Sequence, residues 1–454
     1  MSPELSDAAS RRLSRRATGV AVLSLAGPAI GQSLLETLVF LVDRAMLGRH
    51  AASSLASMQI SGPLTWSVLS VMGAFAVGVV ALVGRATGAG DQALAGAAVR
   101  AGLGLAVLVG SLAGLLVTVG MPLILAAFPL ATPAVHDAAR GYLTTLAPGM
   151  PLLLVVGVAA AALQASGDTR TPFFVAVVGN LVNAGVNWVL IFGHLGAPAM
   201  GTRGAATGSV LAMLVQAVLL LAALMRRDGR VSLRGRGGEL AAAIRFLRVS
   251  GPSFAEKLVQ HAGFFIFVTM IGALGANAMA ANQALVSLES VCFLSADGFG
   301  IAAASIVAQR LGARRPDDAA HAARVATGFA ALSLGTVGLS FALIPNVLLH
   351  LFTDDTDILA TAAPVMIIAA ITQPFMATGV VLSQAVRGSG DTRSALGVTL
   401  LGGLVVRLAA TYYFTRVAHL GLYGVWLGST CDWIVRTVLL SAVWARGGWK
   451  RAVV

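Results

Sequence analysis

The chain has 454 residues, of which 57% are hydrophobic and 11% charged, and its formal net charge is +12. Soluble proteins carry about 25% charged residues, so this composition excludes a set of ordinary soluble domains, and the apolar content excludes intrinsic disorder. Only two cysteines are present, which excludes a disulfide scaffold. A membrane-embedded chain remains.

Twelve continuous apolar segments predict twelve transmembrane helices, since about 20 apolar residues span a bilayer. They lie at residues 18–47, 56–84, 95–121, 140–163, 172–193, 204–225, 249–274, 278–308, 320–349, 360–386, 394–415 and 422–445. Continuous rather than alternating hydrophobicity excludes a β-barrel. Paired arginines precede the first segment, but that segment is too long for a cleaved export signal.

The placement of the basic residues predicts the orientation. Of 31 Lys and Arg residues, 23 fall on the side of the N-terminus, five on the other side and three (Lys257, Arg407 and Arg436) inside spans. Because cytoplasmic loops are enriched in Lys and Arg, we expect both termini to be cytoplasmic, in the inner or plasma membrane. The positive charge then reflects topology, and no nucleic-acid partner is expected.

Four motifs recur in the same order, at a nearly constant separation along the chain. The pairs are Gly27-Pro28 and Gly251-Pro252, Gly88-Ala89 and Gly312-Ala313, Ser166-Gly-Asp-Thr-Arg170 and Ser389-Gly-Asp-Thr-Arg393, and Gly204-x-x-x-Gly-Ser209 and Gly424-x-x-x-Gly-Ser429. This predicts an all-α polytopic fold of two homologous six-helix lobes, a parallel repeat about a pseudo-twofold axis along the membrane normal. Two such lobes enclose a cleft that rocking would expose to each side in turn, which indicates a transporter.

The predicted organisation has five parts. They are a cytoplasmic tail at 1–17, an N-lobe at 18–225, a basic cytoplasmic linker at 226–248, a C-lobe at 249–445 and a cytoplasmic tail at 446–454.

Two of the acidic residues inside predicted spans share the first helix. Asp43 follows Glu36 after two helical turns, so both point the same way, about 10 Å apart along the axis. Carboxylates in a bilayer are costly and are functional candidates, and a pair on one face is suited to hold a proton or a sodium ion. The alternative is that Asp43 is solvated at the outer interface beside Arg44 and Arg49.

Three asparagines form one stripe on the fifth helix: Asn180, Asn183 and Asn187. They either pack helices together through hydrogen bonds or build a polar wall of an ion site opposite the first helix. Both interpretations remain open.

The second half carries further acids in its spans. Glu256, beside Lys257 and one turn before Gln260, either reaches the interface or lines the cleft, and Glu289 and Asp297 are further cleft candidates. Asp432 and Arg436 are spaced as an intrahelical ion pair.

The sequence contains no nucleophile, zinc or phosphate-loop motif, so neither an enzyme nor a bound cofactor is expected. The two Ser-Gly-Asp-Thr-Arg segments lack the Gly-Lys-Ser/Thr of a phosphate loop. We interpret them as helix hairpins in which Gly permits the turn and Asp or Thr caps the next helix.

These features resemble the MATE family of multidrug and toxic compound extrusion transporters. The resemblance rests on Pro28, Phe40–Gly48, Gly88–Asp91, Ser166–Pro172, Asn183 and Asn187, Leu274-Gly275, Ala280–Gln283, Gln373-Pro374 and Arg387–Thr392. It implies export of organic cations, often drugs, driven by an inward flow of protons or sodium.

The resemblance also implies roles for residues. The family's first-helix aspartate falls on Asp43, a polar partner position on Glu36, and the fifth-helix pair on Asn183 and Asn187, where other members often have Asp at the second position. Pro28 would kink the first helix.

The expected branch of the family is indicated by two positions at which this chain lacks an acidic residue. The acidic positions of the NorM-like branch fall on Gln260 and Met376, although Glu256 could substitute for the first. The chain is therefore expected to be nearer the DinF-like branch. Protons are favoured over sodium as the coupling ion, and if the ion is Na+, Asp43 is its expected site.

A lipid-linked glycan or lipid flippase of a related two-lobed family is the alternative function. It would need arginines along the cleft for pyrophosphate, and only three basic residues lie in spans. A monomer in contact with membrane lipid is expected.

Overall fold

The computed structural model describes residues 3–129, 131–226, 231, 233 and 237–452, with side chains from residue 17 onward except at 69, 71 and 72. Most of the predicted tail at 1–17, much of the predicted linker at 226–248 and the last two residues of the predicted tail at 446–454 therefore lie outside the fully described residues. Within the described part the chain forms helices and no strand.

Twelve long helices in the described part follow the order of the twelve predicted spans. They are α1 Pro3–His50, α2 Ala52–Gly88, α3 Gln92–Val119, α4 Pro133–Ala165, α5 Arg170–Phe192, α6 Thr202–Leu224, α7 Glu239–Gly272, α8 Ala276–Gly312, α9 Pro316–Leu343, α10 Val365–Gly388, α11 Thr392–Val417 and α12 Gly421–Arg446. Short helices at Met121–Ala126, Pro345–Leu349 and Thr356–Ala362 lie in connections.

Among the described residues, eleven helices are long and apolar enough to cross a membrane, and α12 is not one of them. Its 26 residues suffice in length, but they include Asp432 and Arg436 in mid-helix. The all-α multi-pass fold predicted from the sequence is therefore confirmed, and α12 is set apart by these charged side chains.

The chain divides into two compact units. The N-unit is Gly31–Ser250, and the C-unit combines Gly251–Val454 with Met1–Ile30. Within the C-unit, Val22 and Ala26 of α1 belong to the same apolar core as Ala296 and Phe299 of α8. The first part of α1 thus groups with the second half of the chain; the lobe boundaries predicted at 18–225 and 249–445 remain a proposal.

The repeated Ser-Gly-Asp-Thr-Arg segments form equivalent hairpins. Gly167 and Gly390 have φ angles of 90° and 93°, a left-handed conformation that glycine adopts without strain. Asp168 accepts a hydrogen bond from the Thr171 N–H at 2.9 Å, and Asp391 accepts one from the Ser394 N–H at 3.2 Å. Both aspartates therefore satisfy amide groups of the first helical turn that would otherwise lack partners.

A π-helical segment shifts the register of the repeat by one residue. Residues Leu400–Val406 of α11 are π-helical, and a π-bulge accommodates one extra residue in an α-helix. After this segment, the close contacts of the two halves match again: Gly208 lies against Asn187, and Gly428, its counterpart in the motif, lies against Thr411. This match aligns Asn183 with Arg407 and Asn187 with Thr411. Earlier in the chain, the pair Gly27-Pro28 and Gly251-Pro252 aligns Asp43 with Phe267.

Candidate functional site

The N-unit encloses a cavity of about 220 Å³ between α1, α2, α4, α5 and α6. Its polar lining consists of two acids and seven neutral residues: Glu36, Asp43, Gln32, Thr65, Tyr142, Asn180, Asn183, Ser209 and Gln216. None of the described residues that line it is Lys, Arg or His. The cavity therefore presents an environment suited to positively charged groups.

Asp43 lies on the cavity wall, where two asparagines of α5 approach it. The Asn187 Nδ2 donates a hydrogen bond to Asp43 Oδ1 at 2.7 Å. The terminal amide of Asn183, turned so that its nitrogen faces Asp43, donates to the same oxygen at 2.9 Å while its own oxygen accepts from the Ser209 N–H and hydroxyl. Asn187 is fully buried and Asn183 almost so, so packing holds both side chains beside Asp43.

The Asn183 amide can serve both protonation states of Asp43. Its nitrogen donates to a carboxylate, and when the amide group is turned over its oxygen accepts from a protonated carboxyl group. In that second orientation the Asn187 Nδ2 also donates to the Asn183 oxygen at 3.1 Å. The site can thus exchange a proton without repacking of α5.

Gly208 of α6 makes this arrangement possible. A Cβ atom at residue 208 would overlap the Asn187 side-chain oxygen, so only glycine lets α6 pack this closely on α5. The repeated Gly-x-x-x-Gly-Ser motif was a signal for this close approach, because small residues four apart mark tight helix contacts in membranes.

Glu36 lies in the same cavity and is linked to other polar side chains of the N-unit. The Gln32 Nε2 donates to Glu36 Oε1 at 3.3 Å, and the Gln164 Nε2 donates to Gln32 Oε1 at 3.1 Å. Asn180 donates to the backbone oxygen of Leu35 at 3.2 Å. The structure therefore brings Glu36, Asp43, Asn180 and Asn183 to one cavity, while Asn187 lies behind its wall and binds Asp43. Sequence reasoning missed Gln32, Gln164 and Tyr142, whose approach to α1 depends on tertiary packing.

The acids of the C-unit have different surroundings. Glu256, only 1% exposed, accepts from Arg387 Nε at 3.0 Å and from the Thr399 hydroxyl at 2.6 Å. Asp297 accepts from Gln384 at 2.7 Å. Neither location predicted for Glu256, the interface or the cleft, anticipated its ion pair with Arg387.

Asp432 is fully buried between two arginines. The expected pair with Arg436 is present at 2.6 Å, and Arg407 of α11 adds a second ion pair at 2.8 Å. The guanidinium of Arg407 also lies 5.4 Å from the Phe267 ring centroid. Arg407 thus lies next to Phe267, the counterpart of Asp43.

The remaining predicted residues are distributed within the C-unit. Glu289 keeps a buried Oε1 without a hydrogen-bond partner among the described groups, and Gln260 is partly buried on α7. Pro28 lies inside α1, which continues from Pro3 to His50, so the predicted kink stays a prediction. Within the described residues, no three His, Cys, Asp or Glu side chains cluster as metal ligands.

A family model described as MatE matches the chain twice, over residues 28–189 and 252–413. The separation of the two matches equals that between Gly27-Pro28 and Gly251-Pro252, which confirms the internal duplication.

Curated relatives match nearly the whole chain. A probable multidrug resistance protein NorM of Thermotoga maritima is 28% identical and covers 95% of this chain and 93% of its own. The multidrug resistance protein PmpM of Pseudomonas aeruginosa is 29% identical, covering 92% and 89%, and a probable NorM of the same species is 30% identical, covering 90% and 85%. These names do not test the expected closeness to the DinF-like branch, which stays a prediction.

Solved structures share the fold. A MATE protein crystallised in a bent conformation superposes with a TM-score of 0.87 at 22% identity, covering 96% of this chain and 97% of its own. A MOP superfamily transporter of Pyrococcus furiosus, described as having a binding pocket of reverse polarity, gives 0.86 at 20% identity, covering 94% and 95%. The twofold family match, the relatives and the helical architecture together show that this chain is a transporter of the MatE (MATE) family and not an enzyme.

Proposed function

We propose that this protein exports organic cations across the inner or plasma membrane in exchange for protons that bind at Asp43. The observation that carries the proposal is the N-unit cavity, in which Asp43 faces two amides and no described lining residue is basic. The relatives are named multidrug resistance proteins, which supports amphipathic drugs as the substrate class.

The proposed exchange uses one carboxyl group for two cations. When Asp43 is ionised, its charge attracts an organic cation in surroundings of low dielectric constant, where electrostatic attraction is strong. When a proton binds, that charge disappears and the affinity for the organic cation falls. A cavity that opens alternately to the two sides of the membrane then converts proton entry into cation release.

Protons are favoured over sodium by the donors around Asp43. Hard metal cations prefer several oxygen ligands, whereas the group that Asn187 turns toward Asp43 is an N–H donor, which would repel a metal ion. The Asn183 amide accommodates either state of the acid. Sodium at Asp43 remains the alternative that the experiment below tests.

The flippase alternative finds no support in this cavity. A lipid pyrophosphate needs basic side chains, and the described lining residues include none. The partly buried Arg407 and Arg436 share Asp432 as their counter-ion.

The topology, with both termini in the cytoplasm, and action as a monomer are part of the same proposal. The concentration of basic residues on the side of the N-terminus supports the orientation.

The test is uptake of tritiated tetraphenylphosphonium into liposomes carrying the purified protein, driven separately by outward proton and sodium gradients. This probe is a permanent cation with no titratable proton of its own. We expect uptake with the proton gradient and none in Asp43→Asn, while Asp137→Asn, an exposed acid on α4, behaves as wild type. Uptake driven only by sodium would overturn proton coupling, and no uptake under either gradient would overturn export of organic cations.

A further inference from the structure

A row of hydroxyl side chains runs along one face of α2, from the start of this helix to the cavity. Ser54, Ser57, Ser61 and Thr65 recur at intervals of three or four residues, so they share one helix face. All four are buried, with Ser57 and Ser61 fully so. We call this row the hydroxyl stripe.

The two ends of the hydroxyl stripe meet groups that can carry protons. At one end, the exposed His50 at the end of α1 lies 3.0 Å from the Ser54 hydroxyl through its Nδ1. At the other end, Thr65 lines the cavity together with Asp43. Histidine is the side chain that exchanges protons most readily near neutral pH, and the proposed topology places His50 on the outer side.

The hydroxyls between these ends are ordered but retain unused hydrogen-bonding capacity. Ser57, Ser61 and Thr65 donate to the backbone oxygens of Ser54, Ser57 and Ser61 at 2.7, 2.9 and 2.8 Å. A hydroxyl oxygen that donates once still has lone pairs that accept. Successive positions are about 4.5–6 Å apart along the helix. Because Ser57 and Ser61 are fully buried, a water molecule bridges this gap only when the packing around them opens.

The second unit provides an internal comparison. In the register of the repeated motifs, the residues of α8 that correspond to Ser54, Ser57 and Ser61 are the buried Ala278, Ala281 and Leu285. Apolar side chains therefore pack this face adequately, and a buried polar group is less favourable than an apolar one unless it is satisfied. At these three positions, hydroxyls occur only in the unit whose cavity contains Asp43.

A second observation points to water near Asp43. The side-chain oxygen of Asn187 is buried and has no hydrogen-bond partner among the described groups, although the amide nitrogen of the same side chain binds Asp43. Buried polar atoms in native proteins are nearly always satisfied, often by ordered water. This oxygen packs against Gly208 of α6, so water reaches it only when that contact loosens.

We propose that the hydroxyl stripe is the route by which protons travel from His50 to Asp43. The charged and titratable groups that the described contacts place around this route include His50, Arg44 and Glu36 from α1 and Tyr142 from α4. Arg44 lies against Gly62 of α2, and Glu36 lines the cavity with Thr65. This proposal rests on the proposed function, because a proton route has no purpose unless Asp43 exchanges protons.

The test compares two modes of transport by a variant that lacks two hydroxyls, Ser57→Ala/Ser61→Ala, in liposomes. We expect uptake of tritiated tetraphenylphosphonium driven by a proton gradient to slow by about tenfold, a change that a barrier increase of 1.36 kcal/mol produces. Exchange of labelled for unlabelled tetraphenylphosphonium without a gradient should keep the wild-type rate, since it needs no proton at Asp43. Ser57→Thr/Ser61→Thr, which retains the hydroxyls, should recover proton-driven uptake.

The control is Ser67→Ala/Ser70→Ala, which removes two partly buried hydroxyls from other faces of the same helix and should leave both modes unchanged. The route is overturned if the Ser57/Ser61 variant keeps wild-type proton-driven uptake, or if it loses both modes equally, which would indicate a packing defect. If wild-type protein itself shows no proton-driven uptake but exchanges the probe normally, the proposed function fails first, and the route fails with it.

Discussion

In the N-unit, Asp43 lines a cavity and is hydrogen-bonded by the amides of Asn183 and Asn187. At the corresponding positions the C-unit has Phe267, Arg407 and Thr411, and its buried Asp432 is held by two arginines. The same duplicated scaffold therefore surrounds one acid with neutral donors and another with fixed positive charges. A carboxylate between two arginines is already neutralised and is a poor site for an exchangeable cation, whereas a carboxylate among amides can exchange its cation.

Two further acids of the C-unit, Glu256 and Asp297, are also held by hydrogen-bond donors, and on our proposal they are not the coupling site. Glu256 is bound by Arg387 and Thr399, and Asp297 by Gln384. Breaking such pairs is costly, because the charge left behind remains buried. We infer that duplication preserved the fold while the polar residues of the two units diverged toward different tasks.

The largest expected effect is on stability and concerns the C-unit. Asp432→Asn removes the fully buried counter-ion of two partly buried arginines and should destabilise the protein by about 3–5 kcal/mol. Asp297→Asn is the matched control, because an amide oxygen can still accept from Gln384. Thermal unfolding in detergent measures both variants; equal melting temperatures for the two would contradict the claim that Asp432 is a structural ion-pair residue.

The next effect concerns transport and tests the N-unit. Gly208→Ala places a Cβ on the Asn187 side-chain oxygen and should displace the amide from Asp43. Loss of a hydrogen bond to a charged group corresponds to about 1.5–3 kcal/mol, so proton-driven uptake should fall by about tenfold to a hundredfold.

Gly185→Ala on α5 is the control for that variant, since no neighbouring atom lies within 4 Å of the added Cβ. Uptake and melting temperature are measured together for both proteins. Wild-type uptake by a folded Gly208→Ala protein would show that the position of Asn187 does not matter for coupling.

A third variant sharpens the choice of ion. Asn187→Asp replaces an N–H donor beside Asp43 with a second carboxylate, and two acids with further oxygens favour a hard metal cation. We expect sodium, but not potassium or choline at equal ionic strength, to raise the melting temperature of this variant and not that of the wild type. A sodium-dependent rise already present in the wild type would argue against proton selectivity.

The smallest effect concerns a difference between the two halves at a hairpin. Arg314 has a φ angle of 59°, and its counterpart Gly90 one of 74°. A left-handed conformation costs a residue with a side chain roughly 1–2 kcal/mol, so Arg314→Gly should raise the melting temperature slightly. A lower melting temperature would show that the Arg314 side chain stabilises the hairpin by more than this strain.

Sequence periodicity predicted local structure well. Apolar runs located all twelve helices, and repeated motifs located the duplicated halves. The spacing of Asn180, Asn183 and Asn187 predicted a stripe on α5, of which the first two line the cavity of Asp43 and the third binds Asp43. Such patterns depend on contacts one helical turn apart, which the order of residues determines directly.

Long-range pairs could not be predicted in this way. Arg387 of α10 binds Glu256 of α7, and Gln164 of α4 reaches Gln32 of α1. The rotation of each helix about its axis decides these contacts, and this rotation depends on how several helices pack together. The same limit applies to Arg407, which the sequence marked only as a basic residue inside a span.

The central claim is that Asp43 exchanges a proton for an organic cation, and proton release on binding tests it most directly. Tetraphenylphosphonium is added to purified protein in weakly buffered detergent solution containing a pH indicator. We predict that wild-type protein and Asp297→Asn release protons as the cation binds, with an affinity that rises with pH, and that Asp43→Asn releases none. Equal proton release by Asp43→Asn and wild type, or cation binding by wild type without any release, would contradict the account.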